Sequence, residues 1–263
     1  MRPLLPIAAL AALTACHPNQ PRVDNADALV NESADVKAQA PQPVTLTAPD
    51  GVTVYGTYYP AEQPRAIVLL FHQAGSSSGE YADIAPRLQR EGYAALAIDQ
   101  RVGGSLYGAN RTMDEAPGKT DYLGALPDLE AALAWGKAKG MPLVLWGSSY
   151  SASLVFLLAN AADAKDSVKA VMAFSPGEYF NDKKMVEAAA AKVKVPVFVT
   201  SANTLDEEAE AKAIVAATPS TDRQLNVPRT GIHGSSTLNA TKNPGGADEN
   251  WTAVLAFLKR VFP

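Results

Sequence analysis

Residues 147–151 read Gly-Ser-Ser-Tyr-Ser and lie between two apolar runs. The run before them, Pro-Leu-Val-Leu-Trp at 142–146, has the length and β-favouring composition of a strand, and the run from Ala152 to Ala162 is long enough for a buried helix. A glycine at such a junction lets the chain bend sharply, because no side chain stands in the way. The stretch therefore predicts a strand that turns abruptly into a helix, with Ser149 at the corner.

The composition is that of an ordinary globular protein. Of 263 residues, 47% are hydrophobic and 19% charged, which suits one domain of about 200 to 250 residues. The formal charge of −4 comes from 23 basic and 27 acidic residues without a basic run, which argues against a nucleic-acid partner. The three histidines have no metal-binding spacing and there is no cysteine cluster, so we expect no metal and no other cofactor.

The first residues are typical of a secretory signal peptide, because Arg2 supplies a positive charge and residues 4–13 form a short apolar core. The segment ends in Leu-Thr-Ala-Cys at 13–16, which resembles a bacterial lipobox. The resemblance implies that residues 1–15 are removed and that Cys16, the only cysteine, is lipidated. The alternative is a free thiol near an ordinary cleavage site.

Residues 16–43 are rich in Pro, Asn, Gln, Asp and Ala and have no sustained apolar period, which predicts a flexible tether. Acyl chains on Cys16 would anchor the chain to a membrane without spanning it. His17, rather than an aspartate, follows the cysteine. By analogy this favours the outer membrane of the bacterial cell envelope if the organism is Gram-negative. One folded domain is expected at residues 44–263.

The folded part alternates apolar runs typical of buried strands with segments of helical composition. A hairpin is predicted at 44–59, and the later predicted strands are 66–71, 93–98, 142–146, 168–174, 195–200 and 224–227. The pattern predicts an α/β fold, namely a mostly parallel twisted sheet with helices on both faces and an opening antiparallel hairpin. Functional residues in such sheets gather at the carboxyl ends of the strands.

Three motifs of the predicted domain are Phe-His-Gln-Ala-Gly-Ser at 71–76, the turn at 147–151 and Gly-Ile-His-Gly-Ser at 231–235. They resemble the motifs of α/β hydrolases, especially of the dienelactone-hydrolase-like branch, and the resemblance covers about residues 44–263. The family's turn, the nucleophile elbow, normally reads Gly-x-Ser-x-Gly, and here Ser151 replaces the last glycine. The resemblance implies a serine nucleophile and a triad in the chain order Ser, acid, His. Only about twenty residues separate the strands ending at 174 and beginning at 195, so we expect no large cap domain.

The serine of the elbow is Ser149, which needs a base within hydrogen-bond reach because its hydroxyl is protonated at neutral pH. Histidine is the usual base, and the chain has three. His17 lies in the predicted tether, and the resemblance places His72 at the start of the loop that builds the oxyanion hole. His233 stands on a glycine-flanked loop before the last helix, where the family has its base.

The resemblance places the acid after the strand at 195–200, where the candidates are Asp206, Glu207 and Glu208. Asp206 is nearest to the family's spacing. Glu178, after the preceding strand, is a second candidate, because some hydrolases take their acid from that strand. Whichever carboxylate serves would hold the imidazole in the correct tautomer and stabilise its protonated form.

The resemblance also implies an oxyanion hole made of backbone N–H groups. The family supplies one from the residue after the nucleophile, Tyr150, and one from the loop after His72, where Gln73 is the expected donor. We expect the His72 side chain to brace that loop. Arg101 lies in a segment that resembles the family's Asp-x-Arg-Gly segment. We expect this segment to tie loops together, and the alternative is that Arg101 contacts the substrate.

Together these residues predict a serine hydrolase, anchored by a lipid on Cys16, that cleaves small carboxylic esters through an acyl-enzyme on Ser149 with His233 as base. One alternative is a non-catalytic ligand-binding lipoprotein on the same scaffold, which the lost glycine at Ser151 and the ambiguous acid favour. Another is a peptidase or acyl-transferase, whose triad would be the same.

Overall fold

The computed structural model of the chain describes residues 39–116, 118–162 and 164–263. The predicted signal peptide, Cys16 and most of the predicted tether lie outside the described residues. Within the part that is described, no helix has both the length and the apolar character needed to cross a membrane.

Eight strands and seven α-helices alternate along the described chain. The strands are β1 (Gln42–Thr47), β2 (Thr53–Tyr59), β3 (Ile67–Phe71), β4 (Ala94–Ile98), β5 (Leu143–Ser148), β6 (Val168–Phe174), β7 (Val197–Thr200) and β8 (Arg223–Asn226). The helices are α1 (Ile84–Arg90), α2 (Arg111–Glu115), α3 (Leu126–Ala138), α4 (Tyr150–Leu158), α5 (Met185–Ala190), α6 (Leu205–Ala217) and α7 (Ala247–Val261). Short 3-10 helices lie at Ser78–Tyr81, Tyr122–Ala125 and Gly234–Leu238.

The strands form one sheet in the order β1-β2-β4-β3-β5-β6-β7-β8. β2 pairs antiparallel with both β1 and β4, and all other neighbours pair parallel. This confirms the predicted fold class. In the register of the sheet, Phe71 of β3 lies beside Gly147 of β5, and Ser148 lies beside Phe174 of β6. The residues that follow these strands therefore meet at one edge of the sheet.

The central strands are apolar throughout because helices cover both faces of the sheet. Every residue of β3 and β4 is buried. Leu69 and Leu145 pack on the face covered by α3, α4, α5 and α6. Their neighbours Leu70 and Trp146 pack on the opposite face, with α1 and α7. This two-sided core fixes the strand ends and thus the edge where the polar residues gather.

The structure differs from the sequence prediction mainly in polar stretches. β1 begins at Gln42, before the predicted domain start at 44. Helix α2 (Arg111–Glu115) lies between β4 and α3, where the sequence analysis predicts no element. It has no apolar run to reveal it, and the Asn110 side chain caps it by accepting a hydrogen bond from the Met113 N–H (2.8 Å). Between β6 and β7, the described chain forms α5 and no cap domain.

Candidate active site

Ser149 occupies the corner between β5 and α4. Its backbone has a φ of 59° and a ψ of −124°, which a non-glycine residue adopts only when its surroundings hold it there. The Ser149 N–H donates to the Phe174 carbonyl (2.8 Å), and the Ser149 carbonyl accepts from the Ala152 N–H (2.8 Å). The residue is 7% exposed. This strained turn has the geometry of a nucleophile elbow and holds the serine at the edge of the sheet.

Gly147 and Ser151 lie on either side of this corner, where strand and helix approach closely. A Cβ on Gly147 would lie 2.2 Å from the Ser151 carbonyl oxygen, so position 147 requires glycine. The Ser151 hydroxyl donates to the His72 carbonyl (2.6 Å) and accepts from the Gln100 side chain (2.7 Å). A serine in place of the family's last glycine is thus accommodated, and it links α4 to the ends of β3 and β4.

His233 lies on the base loop, residues 231–235, which two hydrogen bonds fasten to the same edge of the sheet. The Gly234 N–H donates to Ser175 Oγ after β6, and the Ser235 N–H donates to Ser148 Oγ at the end of β5 (both 2.9 Å). The His233 side chain is 42% exposed. Residues from two neighbouring strands therefore hold the histidine's loop against the elbow.

Glu207, in the first turn of α6, is the carboxylate that meets His233. Its Oε1 lies 2.9 Å from His233 Nδ1, and its Oε2 accepts from the Ala202 N–H (2.9 Å). Partial burial would raise the pKa of Glu207, but hydrogen bonds from His233, Ser175 and Ala202 outweigh burial and lower this pKa to about 2. Glu207 is therefore ionised at neutral pH and suited to holding Nδ1 protonated, which leaves Nε2 as a proton acceptor.

This geometry corrects the predictions for the acid. Asp206 is exposed, whereas Glu207 is half-buried against His233. Successive residues of a helix point about 100° apart, so neighbours in α6 cannot both face the base loop. Glu178, the second candidate, accepts hydrogen bonds from the N–H groups of residues 186 and 187 (3.0 and 2.8 Å) and so caps α5.

The oxyanion loop, residues 72–76, also differs from expectation. The Gln73 N–H donates to the Glu80 carboxylate (2.9 Å), so it is already occupied, which corrects the prediction for Gln73. The next N–H along the loop, that of Ala74, has no acceptor within the described residues. The Tyr150 N–H at the start of α4 likewise has none in the described part of the chain. Tyr150 and Ala74 therefore each present an N–H group without an acceptor among the described residues, which makes them the candidate donors of an oxyanion hole.

His72 is fully buried and has both ring nitrogens engaged. Its Nδ1 lies 2.8 Å from the Gln73 carbonyl, and its Nε2 accepts from the Gln100 N–H (2.9 Å). Burial lowers the pKa of His72 to about 4, although the Gln73 carbonyl and the charge of Asp99 oppose that shift. The neutral ring thus braces the oxyanion loop against the end of β4 and is not placed to serve as a base.

Arg101 joins three separate segments. Its backbone N–H and its Nε bind the buried Asp128 carboxylate of α3 (2.7 and 3.0 Å). Its guanidinium also pairs with Asp50 in the turn between β1 and β2. These contacts use the whole Arg101 side chain to tie loops together, as expected from its Asp-x-Arg-Gly-like segment.

Tyrosines border Ser149. Tyr122 stacks on Tyr150 with ring centroids 4.7 Å apart, and it meets Tyr179 edge-on at 6.4 Å. The Tyr179 hydroxyl donates to the Ser175 carbonyl (3.0 Å). Burial raises the pKa of Tyr179 to about 12, and a hydrogen bond with the Ser149 side chain opposes the shift. Tyr122 and Tyr179 also line a cavity of about 50 Å³. An aromatic wall therefore stands next to the serine.

Comparisons with known proteins agree with this architecture. The sequence profile of the family described as serine aminopeptidase, S33, matches residues 62–184, which include Ser149 but neither Glu207 nor His233. No curated protein matches the sequence.

Similar solved structures include an esterase from Pyrococcus furiosus, with 19% identity over 87% of this chain and 94% of that chain and a TM-score of 0.64. A dienelactone hydrolase from Anabaena variabilis has 18% identity over 86% of this chain and 100% of that chain, with a TM-score of 0.66. A monoglyceride lipase from Saccharomyces cerevisiae has 15% identity over 87% of this chain and 97% of that chain, with a TM-score of 0.62. The chain thus has the α/β-hydrolase fold, and the family match supports a hydrolase of the serine type.

Proposed function

We propose that this protein cleaves small carboxylic esters through an acyl-enzyme on Ser149, with His233 as general base and Glu207 as the acid that orients it. The observation that carries the proposal is the His233–Glu207 pair, 2.9 Å between Nδ1 and Oε1, on a loop bonded to the residue before the strained Ser149. A serine at an elbow is activated when a histidine takes its proton and a carboxylate fixes the ring.

In the first half-reaction, Ser149 Oγ attacks the ester carbonyl while His233 Nε2 accepts the hydroxyl proton. The Tyr150 and Ala74 N–H groups stabilise the negative oxygen of the tetrahedral intermediate. The intermediate collapses as the carbon–oxygen bond to the alcohol breaks, and His233 gives its proton to the leaving alcohol. The acyl group remains on Ser149.

In the second half-reaction, water replaces the alcohol. His233 removes one proton from the water as its oxygen attacks the acyl carbon, and the same two N–H groups hold the oxyanion. Collapse breaks the bond to Ser149 Oγ, which recovers its proton from His233. Glu207 stays ionised throughout, because its role is to stabilise the imidazolium that forms twice in the cycle.

Small esters are proposed because the described chain has no cap domain over the elbow, and the wall beside Ser149 consists of close-packed tyrosines. A peptidase is the second candidate, since the family that matches residues 62–184 is described as a serine aminopeptidase. Parallel assays on p-nitrophenyl esters and on aminoacyl p-nitroanilides separate the two, because the proposal expects faster turnover of the esters.

We also propose that the domain works at the bacterial cell envelope, anchored by a lipid on Cys16. The support is the Leu-Thr-Ala-Cys sequence at 13–16 after a short apolar core. Expression of the full chain and of Cys16→Ser, followed by membrane fractionation and labelling with an alkyne fatty acid, tests this. Label and membrane association should both disappear in Cys16→Ser, and equal labelling of the two would refute the anchor.

The test of the hydrolase itself compares the wild-type domain with Ser149→Ala on p-nitrophenyl acetate and butyrate. Loss of the nucleophile should lower kcat by about 10⁴-fold or more, because the histidine and the carboxylate act only through the serine. Ser167→Ala is the matched control, since Ser167 lies at the opposite edge of the sheet, before β6. A wild-type domain that turns over neither ester would contradict the proposal.

A further inference from the structure

Glu80 is a buried carboxylate that the mechanism above does not use. It lies in the 3-10 helix at Ser78–Tyr81 and is 2% exposed. Among the described residues, no lysine or arginine forms an ion pair with it. A buried acid without a cationic partner is costly to the fold, so its contacts are informative.

These contacts join the three segments that carry the proposed chemistry. Glu80 Oε2 accepts from the Gln73 N–H of the oxyanion loop (2.9 Å). Glu80 Oε1 accepts from Ser148 Oγ, directly before the nucleophile (2.6 Å). The same Ser148 Oγ accepts from the Ser235 N–H of the base loop (2.9 Å). One carboxylate thus connects the loop of the free Ala74 amide, the elbow and the loop of His233.

We propose that Glu80 is a positioning residue whose carboxylate clamps the oxyanion loop, the elbow and the base loop into the arrangement that hydrolysis at Ser149 requires. The inference rests on the proposed function. In such sites, much of the rate enhancement comes from holding the N–H donor and the base in place before the reaction. Misplacement of a group by about 1 Å can lower the rate about a hundredfold.

The ionised form of Glu80 is the one that clamps. Its oxygens accept hydrogen bonds from the Gln73 N–H and the Ser148 hydroxyl, and protonation would replace an acceptor by a donor. Burial raises the pKa of Glu80 to about 7, against these hydrogen bonds and the nearby His233. The other titratable groups that face it are three tyrosines: Tyr81, Tyr107 and Tyr150.

Burial raises the pKa of each of these tyrosines, so all three are neutral near pH 7. Glu80 is therefore the group in this cluster whose raised pKa brings a change of charge close to neutral pH. Activity should therefore fall on the acid side as Glu80 takes up a proton.

The kinetic test compares the wild-type domain with Glu80→Gln, which keeps the shape of the side chain but cannot accept from both Gln73 and Ser148. The clamp predicts that kcat falls about tenfold or more while KM stays within about threefold, because Glu80 does not touch the substrate. It also predicts that the fall of kcat/KM at acid pH becomes less steep in Glu80→Gln, because the ionisation of Glu80 is removed. The matched control is Glu62→Gln, which removes the same charge at an exposed position and should behave as wild type.

Backbone amide exchange tests the clamp without relying on turnover. Glu80→Ala should accelerate exchange at both Gln73 and Ser235, because both segments lose their common anchor. Ser148→Ala should accelerate exchange at Ser235 alone, since the Gln73 N–H keeps its bond to Glu80. Ser148→Ala also serves as the second variant if the changes at Glu80 prevent folding.

Two outcomes would overturn the clamp. One is a Glu80→Gln variant with wild-type kcat and an unchanged acid limb. The other is unaltered exchange at both Gln73 and Ser235 in Glu80→Ala or, if that variant does not fold, unaltered exchange at Ser235 in Ser148→Ala. If the wild-type domain does not turn over esters, the proposed function fails, and the exchange measurements then decide on the clamp by themselves.

Discussion

Glu207 and Asp206 are neighbours in the chain, yet only Glu207 reaches His233. The family resemblance placed an acid after the strand at 195–200 and favoured Asp206 by its spacing, with Glu178 as the second candidate. Spacing alone could not distinguish Asp206 from Glu207, because the choice depends on the rotation of α6 about its axis. In the structure, the Ala202 N–H just before α6 donates to the Glu207 carboxylate and holds it on the side of His233. No local pattern encodes such a contact.

Exchanging each carboxylate for an amide tests the assignment. Glu207→Gln should lower kcat on p-nitrophenyl acetate by about 10² to 10⁴-fold, because the amide can stabilise neither the correct tautomer nor the imidazolium. Asp206→Asn is the matched control and should keep kcat within about twofold, because surface changes away from the site have small effects. A larger loss in Asp206→Asn than in Glu207→Gln would show that the wrong carboxylate has been chosen.

The oxyanion loop shows the same limit of sequence reasoning. The motif at 71–76 predicted an oxyanion loop after β3, and the His72 side chain contacts Gln73 and Gln100 there, as expected of a brace. Which amide stays free depends on Glu80, seven residues after Gln73 along the chain, whose burial and direction follow from packing. A lone glutamate in a polar stretch gives no signal of this role.

At the scale of elements, the strands were predictable because most of them are continuous apolar runs. β3, β4 and β5 are buried along their whole length. Short continuous apolar runs of this kind are typical of strands that helices cover on both faces. The elbow followed from the boundary between β5 and α4. Helix α2 was missed because its five residues have no apolar period and depend on a cap and on tertiary contacts instead.

The elbow geometry predicts that substituting alanine for glycine affects stability very differently at positions 147 and 245. In Gly147→Ala the new methyl would clash with the Ser151 carbonyl oxygen, so the free energy of unfolding should fall by about 3 kcal/mol or more. In Gly245→Ala the methyl meets no atom within 4 Å, so the change should stay within about 0.5 kcal/mol. Urea denaturation followed by circular dichroism measures both. Equal stability of the two variants would contradict the close contact at the elbow.

At the scale of the whole molecule, the sheet gathers residues from distant parts of the chain at one edge. The order of strands and helices was enough to predict that His72, Ser149 and His233 would follow strand ends. It was not enough to predict the buried polar network beneath them, in which Glu80 and Ser148 link segments far apart in sequence. Such networks follow from packing, and they affect the stability of the whole fold.

Glu80 should make stability depend on pH in a definite direction. Its pKa is raised from 4.5 to about 7 by folding, so the folded state holds its proton more tightly than the unfolded state. Its contribution to stability is therefore full below pH 4.5 and is lost as the pH rises through about 7. The difference in free energy of unfolding, Glu80→Gln minus wild type, should increase over this range. Urea titrations at several pH values measure it, and a difference that is constant with pH would contradict the raised pKa.

The central claim is that Ser149 is the nucleophile of a serine hydrolase. The most direct measurement is to react the wild-type domain with a fluorophosphonate and to locate the adduct by tandem mass spectrometry. The account predicts a single adduct on Ser149, absent in Ser149→Ala and slower to form in His233→Ala. No adduct on the wild-type domain, or an adduct on another residue that persists in Ser149→Ala, would contradict it.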